Sequence, residues 1–401
     1  MTKEHKIERA LSRGVEALYP NPEKVKEKLE GNEQLRFYLG IDPTGPTLHV
    51  GHLIPLIKLR HLQDLGHEII LLIGDMTATI GDPDKLSVRK PLTREEVLEN
   101  AALYREQASR ILLFSGDNAV KVMYNSTWLS VMNFSDVLML ASHVTVQQLL
   151  ERDMFARRIQ EERPIYVHEF LYPLMQGYDA VAMDVDGEVG GNDQTFNMLT
   201  GRTLLKQYKN KEKLVIVTKL IADNEGVKMG KTTGNMVAFN DSPRDMFGKI
   251  MSLSDAHIVP VFELCTFVDD EEIAEIAVQL ATGTNPRDLK IRLAQEIVSL
   301  LLGEEEAENA LLDWQRAFQE GGAPEDIPTV EVVKDSPLVG VVCEAHLVSS
   351  RAEWRRLIDQ GAVTLMQEGG ETKVIDGFDA VVSGSGVYKI GKHRFLHCRV
   401  K

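Results

Sequence analysis

The chain has 401 residues, 43% of them apolar, and its 60 acidic against 45 basic side chains give a net charge of −15. That length is enough for two or three domains, and the acidic balance argues against a generic nucleic-acid binder, though an RNA held by a local basic patch remains compatible. No run approaches the ~20 apolar residues of a membrane span, the charged opening residues lack an apolar signal core, and the scattered Cys265, Cys343 and Cys398 suggest neither a metal cluster nor a disulfide framework, so a reducing cytoplasm is expected.

Residues 7–31 read as two short helices broken at Pro20 and Pro22. The run Leu35 to Ile41 predicts a buried strand, and the turn-forming residues Asp42 to Thr47 predict a loop. A helix is expected from His52 to about Leu65, ended by Gly66. Glu68 to Ile73 is nearly all apolar, as in a strand covered on both faces. This strand–loop–helix–strand order predicts a doubly wound, Rossmann-like parallel sheet of the α/β class with right-handed crossovers. Residues 94–165 read as a helical insertion between the two halves of that sheet. Further strands are expected at Val181 to Val185 and Leu214 to Thr218. The pattern from about 243 to 320 is helical and reads as a separate α-helical domain. Gly, Pro and acidic residues make 321–337 a candidate linker, and 338–401 reads as short strands and glycine turns around one helix, a small α+β domain. The expected domains are therefore 1–225, with the insertion inside it, then 226–320, the linker, and 338–401.

Two short segments suggest phosphate chemistry. His49-Val50-Gly51-His52 stands where a helix begins. A helix N-terminus exposes unpaired N–H groups and partial positive charge, which suit an anion. Gly51 allows a ligand close to the backbone, both imidazoles can aim at one group, and Thr44 adds a hydroxyl. Lys228-Met229-Gly230-Lys231-Thr232 puts two ammonium groups on a turn-rich segment, where lysines act as movable charges on polyphosphate. Each segment alone is a weak signal; their joint occurrence around an α/β core points to a triphosphate.

On these residues the chain resembles the class I aminoacyl-tRNA synthetases, and specifically the bacterial tyrosyl enzymes, over essentially its whole length. HVGH is similar to the HIGH motif of that class and KMGKT to its KMSKS motif, with Gly230 and Thr232 replacing the two serines. The segments from Tyr38 to Thr44, from Thr77 to Pro83, from Tyr172 to Asp179 and from Gly190 to Gln194 are similar to more specific tyrosyl motifs. Leu39, where some relatives carry a polar side chain, and Pro55, inside the first helix, are minor departures.

The resemblance implies the residue roles. Tyr38 and Asp179 would bracket the substrate phenol. Asp82, Tyr172 and Gln176 would surround the tyrosine ammonium, with Gln194 at its carboxylate. Asp193 would hold the ATP ribose, with Gly40 and Asp42 bordering the nucleotide. Thr44, His49, Gly51, His52, Lys228, Lys231 and Thr232 would surround the phosphates, with Lys85 and Arg89 on a loosely similar phosphate-contacting segment. ATP is implied as substrate, Mg²⁺ as its companion and no resident metal. The reaction implied is attack of the tyrosine carboxylate on the α-phosphorus, then transfer of the tyrosyl group to the 3′ end of tRNA(Tyr). The C-terminal region resembles an S4-type RNA-binding domain, in which Arg351, Arg355 and Arg356 on one predicted helix would meet RNA phosphates. Family resemblance further implies a homodimer paired through residues 120–170. Three rivals stay open on sequence: a tryptophanyl-type enzyme, a nucleotidyltransferase with an HxGH motif, and a non-catalytic RNA-binding relative.

Overall fold

The N-terminal segment contains a strand that the sequence pattern conceals. Helix α1 (Lys3–Ser12) is followed by β1 (Val15–Tyr19) and only then by α2 (Pro22–Glu30). β1 is five residues long and half-exposed, so it carries no alternation long enough to read. It is fixed by antiparallel pairing with β6, Val15 opposite Thr218 and Tyr19 opposite Val215. In this computed structural model the described residues are 2–82, 92–221, 236–318, 328–345, 347–348, 350–366, 372–391 and 394–400. They divide into two compact units, Met1–Glu308 and Asn309–Lys401.

The first unit is built on a six-stranded sheet. Along the chain come β2 (Arg36–Ile41), helix α3 (Val50–Asp64), β3 (Glu68–Ile73), β4 (Lys121–Tyr124), β5 (Gly187–Gly191) and β6 (Leu214–Thr218). The spatial order is β1-β6-β5-β2-β3-β4, with every pair parallel except β1 with β6. β3 and β6 are apolar throughout because both faces of the sheet are covered. The chain leaves β2 toward β3 on one side and later returns to β5 on the other. That reversal opens a crevice at the carboxyl ends of β2 and β5, where open α/β sheets bind ligands.

Two expectations for this unit need correction. Val181 to Val185 is not a strand. Val181 lies in the last turn of the helix Val167–Met183, in which Ala180, Val181 and Met183 are buried, and Asp184 turns left-handed at φ 51° to stop it. The strand lies just beyond, in Gly187–Gly191, where three glycines depress any β signal. Residues 94–165, read as largely helical, also contain an unexpected strand, since β4 joins the sheet beside β3. The remainder of that stretch is six short helices, from Arg94–Ala101 to Asp153–Gln160.

The helices from Pro243–Met251 to Pro286–Leu302 lie within this same unit rather than forming one of their own. They are tied to the N-terminal region by buried cations. The Arg13 guanidinium donates to the carbonyls of Phe262 (3.0 Å), Glu263 (2.7 Å) and Thr266 (2.9 Å), capping the C-terminus of helix Ile258–Cys265. Lys58 Nζ, on α3, donates to the carbonyls of Ala10 and Arg13 at 2.7 Å each, closing the end of α1.

The second unit holds a five-stranded sheet: β7 (Thr329–Val332), β8 (Val363–Met366), β9 (Thr372–Val374), β10 (Gly386–Ile390) and β11 (Arg394–Val400), in the order β7-β11-β10-β8-β9. β7 falls inside the stretch expected as linker. The β-branched alternation of Thr329 to Val332 pairs parallel with β11, and residues 319–327 lie outside the described set. Two helices, Leu338–Glu344 and Arg351–Asp359, accompany the sheet where one was expected. They share its core through Leu338, Val342, Trp354 and Leu357. Among the described residues no helix is long and apolar enough to cross a membrane.

Candidate active site

The crevice between β2 and β5 holds a cavity of about 440 Å³. One end is the start of α3. His49 is the N-cap, and its Nδ1 accepts from Gly51 N–H at 3.2 Å; His52 Nδ1 accepts in turn from His49 N–H at 3.1 Å. Two helix-end donors are thus satisfied by side chains three residues apart. Because each Nδ1 accepts, each neutral ring carries its proton on Nε2. The rings lie 4.0 Å apart between centroids. A helix N-terminus thereby gains two imidazole N–H donors at the cavity wall.

The loop preceding α3 is pinned from the helices after residue 94. Asn100 donates to Pro43 O at 3.1 Å, Tyr104 Oη to Gly45 O at 2.7 Å, and Leu48 N–H to Gln107 Oε1 at 2.6 Å. On the other flank, residues 237–239 pair with 48–50: Val50 N–H donates to Val237 O and Phe239 N–H to Leu48 O, both at 2.9 Å. Ile221 also lines the cavity. The described chain on each side of 222–235 therefore reaches the site, residue 221 at the cavity lining and 237–239 at the start of α3.

A directional hydrogen-bond chain runs along the floor. Tyr172 Oη donates to Asp42 Oδ2 at 2.8 Å and Thr77 Oγ1 to Asp42 Oδ1 at 2.6 Å. Thr77 Oγ1 accepts from Asn125 Nδ2 at 3.0 Å, which also donates to Asp179 Oδ2 at 3.2 Å. Trp128 Nε1 completes the chain on Asp179 Oδ1 at 2.8 Å. The Asn125 amide has one possible sense, since its Oδ1 accepts from Met76 N–H. Asp42 and Thr77 sit so close to Gly74 that a Cβ there would lie 2.0 Å from Asp42 Oδ1. Burial pushes the Asp179 carboxyl well above its usual range, opposed by the Trp128 and Asn125 hydrogen bonds. Burial likewise drives the Tyr172 and Tyr38 hydroxyls up, with Asp42 adding to the first and Glu188 and Asp179 to the second.

Tyr38 is fully buried, and its Oη has no hydrogen-bond partner among the described residues. Beside it Glu188 on β5 forms a buried ion pair with Lys213, the residue before β6. Asp82 is engaged at both oxygens, by Arg152 at 2.5 Å and by Gln194 Nε2 at 2.9 Å.

Residues 30–319 match the family model described as tRNA synthetases class I (W and Y). Curated relatives carry the likeness to nearly the full length. Tyrosine–tRNA ligase 2 of Vibrio cholerae is 43% identical over 401 residues, covering 98% of this chain and 99% of that one. Tyrosine–tRNA ligase of Carboxydothermus hydrogenoformans is 44% identical over 402 residues, covering 96% of each. The chain belongs to the bacterial tyrosyl-tRNA synthetases of class I. Among solved structures, the C-terminally truncated mitochondrial tyrosyl-tRNA synthetase of Aspergillus nidulans shares the fold (TM-score 0.67, 21% identity, 78% of this chain and 94% of that one). The tyrosyl-tRNA synthetase of Archaeoglobus fulgidus, solved with L-tyrosine, has TM-score 0.61 at 25% identity, covering 77% of this chain and all of that one.

The synthetase cavity is lined by every described residue that the sequence put near tyrosine or ATP: Tyr38, Gly40, Asp42, Thr44, His49, Gly51, His52, Asp82, Tyr172, Gln176, Asp179, Asp193 and Gln194. Lys85, Arg89, Lys228, Lys231 and Thr232 lie outside the described residues. Sequence reasoning missed Thr77, Tyr104, Asn125, Trp128, Arg152, Glu188 and Lys213. Thr77 stood within a quoted motif without a role. The others belong to no local pattern; a lysine immediately before an apolar strand was the one visible anomaly. In the second unit, Arg351, Arg355 and Arg356 are exposed on helix Arg351–Asp359, while Trp354, Leu357 and Ile358 face its core. The Arg355 guanidinium lies 4.7 Å over the Phe378 ring.

Proposed function

We infer that this synthetase joins tyrosine to tRNA in two steps, with the cavity at the β2–β5 reversal holding tyrosine and ATP end to end. The observation that carries this reading is the gathering of thirteen sequence-distant residues, from Tyr38 to Gln194, around one cavity of about 440 Å³. The substrate phenol meets Asp179 and Tyr38, whose buried hydroxyl an apolar ring would leave unsatisfied. The ammonium lies among Asp82, Tyr172 and Gln176, and Gln194 borders the carboxylate. Asp193, Gly40 and Asp42 bound the nucleoside. The phosphates lie at the α3 N-terminus, against Thr44, His49, Gly51 and His52.

The tyrosine carboxylate is already a nucleophile, so activation needs no protein base. It attacks the α-phosphorus, the bond to the β-phosphate oxygen breaks, and pyrophosphate leaves. Charge growing on the bridging and non-bridging oxygens is met by fixed donors, which bind the transition state better than ground-state ATP. The Nε2–H groups of His49 and His52 are such donors. Lys228, Lys231 and Thr232 complete the set. In support, the described residue Val237 is hydrogen-bonded to Val50 at the start of α3. Mg²⁺ enters with ATP as part of the substrate, and among the described residues no cluster of His, Cys, Asp and Glu is set to hold a metal. A terminal ribose hydroxyl of tRNA then takes the tyrosyl group.

The remaining assignments follow from the same family. The exposed arginine face in the second unit contacts tRNA phosphates in an S4-like manner. Val131, Phe134 and Val167, each at least 75% exposed, fall within the 120–170 stretch and support pairing of two copies there. The cytoplasm is the compartment. The reading is tested by amino-acid-dependent ATP–pyrophosphate exchange with all twenty amino acids. Tyrosine alone should support exchange; equal exchange with tryptophan or phenylalanine refutes the phenol assignment.

A further inference from the structure

The amide of Gln176 has its orientation decided by Glu188, which lines the same cavity. Glu188 Oε1 accepts from Gln176 Nε2 at 3.5 Å, while Glu188 Oε2 is held by Lys213 Nζ. A carboxylate paired with an ammonium is an acceptor only. The NH₂ side of the amide must therefore turn toward Glu188, and Oε1 must turn away. That Oε1 is buried and without a hydrogen-bond partner among the described residues, on a side chain that lines the cavity.

Burying this ion pair is costly, and the fold makes room for it deliberately. Lys213 is fully buried, with Nζ 5.7 Å from the Tyr38 ring centroid. Helices Val167–Met183 and Thr195–Lys209 cross at two glycines above it. A Cβ on Gly177 would stand 3.1 Å from Gly201 N, and a Cβ on Gly201 would stand 2.7 Å from Lys213 Nζ. A buried ion pair contributes little stability over an apolar filling of the same volume. A pair retained at the wall of a ligand cavity, touching a cavity-lining amide, has a directional use instead.

We propose that the Glu188–Lys213 pair is an orienting device for the Gln176 amide, locking its oxygen toward the cavity as the acceptor for the substrate ammonium. This rests on the assignment of the ammonium to Gln176. Glu188 and Lys213 are positioning residues and touch no reacting atom. The consequence is chemical polarity: with the amide reversed, an NH₂ group would confront the ammonium.

Substitution of Glu188 by Gln tests the proposal on the full-length enzyme. Lys213 remains a donor, so the new amide must turn its oxygen to Lys213 and its NH₂ to Gln176, which reverses Gln176. The expected result is a rise of about 10–100-fold in KM for tyrosine in pyrophosphate exchange, with KM for ATP within about twofold. Inhibition by 3-(4-hydroxyphenyl)propionate, which lacks the ammonium, should stay within about twofold. The swap Q176E/E188Q restores an acceptor facing the ammonium, and its tyrosine KM should return to within about threefold of the parent. An equal loss toward tyrosine and the desamino acid in E188Q overturns the proposal, as does failure of the swap to recover. Should E188Q not fold, the swap, which keeps the number of buried charges by moving the carboxylate to position 176, decides alone. Q176A separates the two layers. If it leaves the tyrosine-to-desamino ratio unchanged, the ammonium assignment falls. If it shifts the ratio while E188Q does not, that assignment stands and the orienting role falls.

Discussion

The two ends of the cavity are built in opposite ways. At the phosphate end, His49, Gly51 and His52 satisfy one another within four residues of chain, and the helix they start supplies the field. At the phenol end, Tyr38, Asp179, Glu188, Lys213 and the turn that carries Asn125 and Trp128 come from separate elements, and the side chains that hydrogen-bond one another there stand at least 25 residues apart in sequence. The first is a local motif that tertiary structure merely places. The second exists only once the sheet and the helix crossing have formed. An error at the first should therefore cost chemistry with little stability, and an error at the second should cost both.

The largest effect is expected at Asp179. Replacing it with Ala removes the acceptor of Trp128 Nε1 and of one Asn125 Nδ2 proton, each stranded at about 1–3 kcal/mol. Burial already penalises that carboxylate, so part of the cost is refunded and the net loss of stability should be roughly 1–2 kcal/mol. Loss of the hydrogen-bonded contact to the phenol should lower tyrosine-dependent exchange by about 100-fold. Urea midpoints and exchange rates on the same sample check both. A variant that is destabilised but activates tyrosine normally would place the phenol elsewhere.

The same division explains what could be read from sequence. The parallel sheet was legible because β2, β3 and β6 are runs of buried apolar residues that announce themselves. β1 and β5 were not: one is a short edge strand set by its partner, the other is three-fifths glycine. β7 was hidden by the Gly- and Pro-rich stretch before it. In the site, His49 and His52 were legible from spacing, and the motif segments carried Tyr38, Tyr172, Gln176 and Asp179. Lys213 and Glu188 stand 25 residues apart in sequence and Asn125 and Asp179 stand 54 apart. Pairing of that kind is written in topology, and no local period records it.

The phosphate end gives a cleaner separation at His49. Asn is a good N-cap, so His49→Asn keeps an acceptor for the Gly51 N–H and loses the Nε2–H donor. Stability should stay within about 0.5 kcal/mol of the parent. Adenylate formation should slow by about 100-fold, as when one preorganised donor to a developing negative charge is removed. Tyrosine affinity, measured without ATP, should be unchanged. Loss of tyrosine binding in this variant would mean that the two ends are not independent, and the contrast drawn above would fail.

The smallest effect concerns a third histidine on the same helix. His61 lies near the end of α3, nine-tenths buried, with neither ring nitrogen hydrogen-bonded among the described residues. Its ring stands 6.1 Å from that of Phe267. Burial, reinforced by the Lys58, Arg9 and Arg13 charges, pulls its pKa down to about 2. The unfolded chain takes up this proton near pH 6.5 and the folded chain does not. The stabilising contribution is therefore complete above pH 6.5 and drains away as pH falls toward 2, at about 1.4 kcal/mol per pH unit. Substituting His61 by Leu removes that proton from the balance. Urea midpoints between pH 6.5 and 5 should fall less steeply in the variant, by a difference of about 2 kcal/mol across the interval. Identical slopes would show that the ring is protonated in the fold, paired with a group that its surroundings do not reveal. The rings of His49 and His52 are held by residues on their own turn, whereas His61 owes its state first to burial, with Lys58 on its own helix and Arg9 and Arg13 from the N-terminal segment adding to it, so a flattened acid slope would extend the local-versus-assembled distinction along a single helix.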